Sequence, residues 1–75
     1  MTPEARASLA EQLLSNPLFD ELLNGIERAA IERMVHATDD ETRAAGAMRV
    51  QAVRSLRSDC EASLRSTRER KAAPA

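Results

Sequence analysis

Between Thr38 and Ala72 nothing in this chain stops a helix. The run is filled with Ala, Arg, Glu and Leu, all strong helix formers, and proline does not return until Pro74. At its start, Thr38 and Glu41 have the spacing of a capping box, and Asp39 and Asp40 place negative charge where a helix N-terminus favours it. The spacing predicts a helix over 39–71, with a frayed tail over 72–75. At 1.5 Å per residue such a helix reaches about 50 Å, which is long for a chain this small.

Two shorter helices are expected before it. Thr2 can cap, Pro3 suits a first helical position, and Glu4 complements the positive helix end, so a helix is predicted over 3–15. Asn16-Pro17 interrupts it, because proline disfavours helical geometry in the residue before it. The same pair restarts a helix over 17–37, with Asn16 as cap. On that second helix Phe19, Leu22, Leu23, Ile26, Ala30 and Met34 fall on one face, and Ile31 and Val35 fall outside it. Gly25, at the edge of the stripe, either permits a close helix approach or is simply tolerated.

On the third helix the apolar line runs through Ala45, Met48, Ala52, Val53, Leu56, Cys60 and Leu64. The connection between the second and third helices is a few residues long, which predicts an antiparallel hairpin. The fold class is all-α: one helical domain over 1–75, built as a hairpin with a short N-terminal helix and a long C-terminal helix. A second helix of about 30 Å cannot cover an arm of about 50 Å, and the first is too short to cover the rest. A partner chain is the expected cover, so an oligomer is predicted. Leu22, Ile26, Met48, Leu56, Cys60 and Leu64 are the expected helix-packing or oligomer interface.

Composition narrows the function classes. A chain of 75 residues with a single cysteine has no internal disulfide, and small domains of this size are marginally stable without help. His36 and Cys60 are too few soft ligands for a structural zinc site, so no metal and no cofactor is expected. No stretch approaches the ~20 apolar residues of a membrane span, and no signal pattern opens the chain, which points to a cytoplasmic protein away from membranes. With Phe19 as its one aromatic residue, the chain lacks the stacking platforms of single-strand and RNA binders.

Charge is unevenly divided. Acidic residues dominate before Arg43 and basic residues after it, although the formal net charge is only −1. On the third helix Arg43, Arg54, Arg57, Arg65 and Arg68 share one side, with Glu61 among them. Such a row is either the solvated face of a long helix or a surface for an acidic protein or for phosphates. Arg54, Arg57, Arg65 and Arg68 are the candidate partner-binding residues. A net charge near zero weighs against nucleic acid.

Nothing in the sequence assembles a catalytic site. His36 lies at the end of the second helix, where it complements the negative helix end, and no nucleophile is paired with it. Cys60 occupies a core-type position without a base or an oxyanion site. Asp20-Glu21 and Asp39-Asp40-Glu41 sit in first helical turns, which explains them without a metal. No enzyme is expected.

The segments Asn16-Pro17-Leu18-Phe19-Asp20-Glu21-Leu22, Ala30-Ile31-Glu32-Arg33, Asp39-Asp40-Glu41-Thr42-Arg43-Ala44-Ala45 and Arg49-Val50-Gln51-Ala52-Val53-Arg54 carry a resemblance. Over about Asn16 to Leu64 the chain resembles short helical proteins encoded among the head and packaging genes of tailed phages and prophages. The resemblance implies a small accessory of virion assembly, in the host cytoplasm or the particle, that binds itself or a larger phage structural or packaging component. It brings no catalytic residues with it. The expected function is thus a non-enzymatic protein–protein interaction or structural accessory module. One alternative is a nucleic-acid-binding accessory using the basic face of the third helix; another is a small inhibitor of a host protein, with the acidic first half as its contact.

Overall fold

The computed structural model describes residues 1–72, with side chains described as far as Ser66. Its described part is all-α: α1 (Pro3–Leu14), α2 (Pro17–His36) and α3 (Asp40–Ala72). The side chain of Arg68 and the end of the expected tail, 73–75, lie outside the described residues.

Each helix starts on a side-chain cap. Thr2 accepts from the Ala5 amide, and Asn16 Oδ1 accepts from the amides of Leu18 and Phe19. Proline follows both caps, where its missing N–H needs no partner. The third cap is Asp39, one residue later than the Thr38–Glu41 spacing implies. Its carboxylate accepts from the Thr42 amide at 2.9 Å and from the Thr42 hydroxyl at 2.7 Å. Asp wins over Thr here because an ionised oxygen at the positive helix end forms the stronger, charge-assisted bond.

These bonds, the Thr42 hydroxyl first, hold the Asp39 carboxyl below its ordinary value of 3.8. A lowered native value means that the unfolded chain takes up the proton first on acidification. The cap's contribution is therefore full above the ordinary value and fades as pH falls through the lowered one. Asp39→Ala should lower the melting temperature at pH 7, and its deficit against the parent should shrink as the pH is taken down below 3.8 when both are melted by circular dichroism.

The helices form a rod with extents of 57 × 23 × 19 Å. α2 runs antiparallel to the first half of α3: Met34 meets Gly46 at one end, Glu27 pairs with Arg54 in the middle, and Arg57 pairs with Asp20 at the other end. α1 packs on α3 and hardly touches α2. It therefore lies along the second half of α3, beyond Arg57. The 12 residues of α1 and the 20 of α2 together match the 33 of α3. The expectation that the far end of the long arm lies open is thus overturned: Cys60 is buried and Leu64 half-buried, covered from within the chain.

The seam is thin and made of small residues. Ala7 and Ala10 of α1, Leu23 and Ala30 of α2, and Val50, Val53 and Cys60 of α3 form it. Among the described residues no large side chain is completely buried. Close approach is set at Gly46, where a Cβ would meet Met34 Cγ at 2.5 Å and the Ala30 carbonyl oxygen at 3.1 Å. Gly25 has nothing within 4 Å of a would-be Cβ, so the glycine that permits helix contact is Gly46.

Opposite outcomes follow for the two glycines. Gly25→Ala removes a helix-weakening residue in open space and should stabilise by roughly 0.5–1 kcal/mol. Gly46→Leu wedges the seam apart and should cost about 1–3 kcal/mol. Thermal melts should move by roughly 4–8 °C per kcal/mol, upward for the first and downward for the second. A Gly46→Leu variant that melts like the parent would remove the close-approach account.

Candidate functional site: two unlike flanks of the helical rod

Side by side and antiparallel, α2 and α3 present two long flanks. One is polar. Arg57, its side chain only 27% exposed, donates from Nη1 to Asp20 Oδ1 and from Nη2 to Asn24 Oδ1, both at 2.7 Å. Asn24 in turn donates to Asp20 Oδ2 at 3.2 Å, closing a three-residue network. Arg54 Nε donates to Glu27 Oε1 at 2.8 Å, with the glutamate mostly shielded and the arginine mostly exposed. Arg43 reaches back to Asp40 and to the Ala37 carbonyl at the connection. Ile31 and Val35 stay exposed on this side of α2, lining a shallow hollow with Asn24, Glu27 and Glu32.

The expected basic row is therefore broken up. Arg43, Arg54 and Arg57 are tied to acidic or carbonyl oxygens of their own chain. Arg65 is exposed on α3, and the side chain of Arg68 lies outside the described residues. A guanidinium already neutralised by a carboxylate at 2.7 Å contributes little field to a phosphate.

The other flank is apolar. At about 100° per residue, Leu22 and Ile26 turn to the side of α2 away from Asp20, Asn24 and Glu27, while Met48, Ala52 and Leu56 turn to the matching side of α3. The cross-helix pairs set the register, which brings Leu22 level with Leu56 and Ile26 level with Ala52. Met48 is 70% exposed, Leu22 56%, Ile26 47% and Leu56 43%. Four of the six residues expected at an interface thus share one uncovered face. The other two, Cys60 and Leu64, belong to the seam under α1.

The difference from the expected stripe is a rotation. Gly46, Val50 and Arg57 face α2, while Ala45, Met48, Ala52 and Leu56 do not. The contact axis of α3 is turned by roughly 60° from the line of its apolar residues. Small residues explain it, because Gly46 against Ala30 lets the backbones close and the two arginine pairs then lock the roll.

Other chemistry is sparse among the described residues. His36 Nε2 lies 3.8 Å from Glu32 on an exposed surface. No group of three or more His, Cys, Asp or Glu side chains is placed to hold a metal ion, and no helix is long and apolar enough to cross a membrane. No protein family, curated protein or solved structure matches the chain.

The Arg57 network is the strongest polar feature of the rod, so it sets a measurable scale. Arg57→Met keeps the aliphatic stem and should cost about 1–2 kcal/mol, because the charge-assisted bonds are partly shielded. Arg54→Met, at a more exposed pair, should cost at most about 0.5 kcal/mol. Urea denaturation should show that ranking, and Arg57→Met should lose less when Asp20 is already Ala. Equal costs would remove the special status given to the network.

Proposed function

We propose that the chain is a non-enzymatic protein–protein interaction and structural accessory module, acting through the apolar flank of an antiparallel α2/α3 hairpin. One observation carries this reading: Leu22, Ile26, Met48 and Leu56 lie uncovered on one face of a rod whose own seam is small and shallow. Large apolar side chains gathered on a single face of a small domain mark an interaction surface. Covering them also supplies the core depth that a thin two-helix slab lacks.

The resemblance over Asn16–Leu64 favours a place in a larger assembly such as a phage virion, with the chain binding itself and a larger structural or packaging component. The nucleic-acid alternative has less support, since Arg54 and Arg57 are already paired with Glu27 and Asp20. Nothing in the geometry singles out the acidic half as an inhibitory surface.

The test is a double substitution, Leu22→Asp with Leu56→Asp. The parent should bind an apolar fluorescent dye or associate with itself, and the variant should do neither while keeping its helical dichroism. These residues contribute little to the chain's own seam, so the variant should melt within a few degrees of the monomeric parent at low concentration. A parent that is monomeric and dark to the dye would end this reading.

A further inference from the structure

Resting on that reading, we propose that the apolar flank takes an amphipathic helix of another protein, whose apolar stripe ends in carboxylates received by Arg33 and Arg49. Both arginines belong to the flank by register. Arg33 follows Ile26 by seven residues on α2, and Leu56 follows Arg49 by seven on α3, so each arginine shares a helical ridge with an uncovered apolar side chain. They also stand at one level of the rod. Arg33 adjoins Met34, which meets Gly46, and Arg49 lies less than a turn beyond Gly46. Ile26, Ala29, Arg33 and Arg49 accordingly line one shallow hollow.

Charge chooses the occupant. Both arginines are exposed, and neither is in an ion pair among the described residues. Helical neighbours meet at three and four positions. Around Arg33 those positions hold Ala29, Ala30, His36 and Ala37; around Arg49 they hold Ala45, Gly46, Ala52 and Val53. By contrast Arg43, Arg54 and Arg57 are paired within the chain, and Arg28 has Glu32 four residues on. Two guanidiniums that border one hollow repel each other, and a carboxylate set between them turns that repulsion into charge-assisted bonds. A second copy laid flank to flank would bring further arginines and no carboxylate on these ridges. A flat anionic bilayer would also meet Glu21 and Glu32 on the outer face of α2, and Asp59 beside Ser55 and Ser58 on α3.

Spacing describes the occupant further. Along α2, Leu22 and Ile26 lie about 6 Å apart, and Arg33 lies about 10.5 Å beyond Ile26. A docked helix would match this with two apolar residues four apart and an acidic residue about two turns farther on.

A displayed library of amphipathic helices, with the apolar stripe fixed and the other positions randomised, tests this against the full chain. Selection should enrich Asp and Glu about two turns beyond the apolar pair. In fluorescence anisotropy the enriched peptide should bind at least tenfold more tightly than its Lys-substituted counterpart. Arg33→Glu with Arg49→Glu should reverse that preference, and its gain of the Lys peptide also shows that the variant is folded. Selection without acidic enrichment, or a preference that survives the charge reversal, would overturn the acidic occupant. The interaction reading would still stand if the parent binds the dye and Leu22→Asp with Leu56→Asp abolishes it. Phosphatidylserine vesicles or duplex DNA that bind more tightly than the peptide, and are lost in the arginine variant, would also overturn the helical occupant. A parent that binds neither dye nor peptide would overturn both.

Discussion

The contact between Gly46 and the Ala30–Met34 turn decides how this chain is arranged. With no side chain on α3 at that point, a backbone carbonyl and a methionine of α2 come within van der Waals reach of the α3 backbone. Two helices that meet on small residues close to a short distance, and the roll of each is then fixed by what can fit beside the contact. Val50 and Val53 fit. Leu56 and Met48 do not, and they are turned out. The character of both flanks follows from that roll.

Electrostatics then reinforces what packing began. Arg57 is held by Asp20 and Asn24 four residues apart on α2, a spacing that puts both acceptors on one helical ridge. A guanidinium needs such a planar, forked receptor to justify partial burial. Sliding α2 by one turn would break both bonds at once and also lift Ala30 from Gly46. The polar flank thus acts as a register key, and the apolar flank is the consequence of the lock it provides.

The helices themselves were legible because their signals are local. Thr2-Pro3, Asn16-Pro17 and the acidic run before Thr42 each supply a cap, a first-turn residue or a favourable charge within four residues. The roll of the helices was not legible, for a physical reason. A hydrophobic stripe sums every apolar contact a helix will make, and α3 serves both an internal seam and an outer face. The larger residues Met48 and Leu56 pull the average away from Gly46 and Val50, which form the actual seam. The internal pairing of two members of the arginine row was hidden for a related reason: Arg57 reads as solvated until Asp20 is brought beside it from 37 residues away. The coverage of Cys60 depended on the path of α1 past the Asn16-Pro17 break, which no periodicity encodes.

A single seam between thin helices cannot dispose of all the apolar surface in this chain. On the polar flank the charges meet within the chain, as Asp20 with Arg57 and Glu27 with Arg54. On the other flank Leu22, Ile26 and Leu56 find no such cover, and each stays about half exposed. A roll that turns Gly46 and Val50 inward has to turn Leu56 outward, so the apolar flank is a direct consequence of the close contact that holds the two helices together.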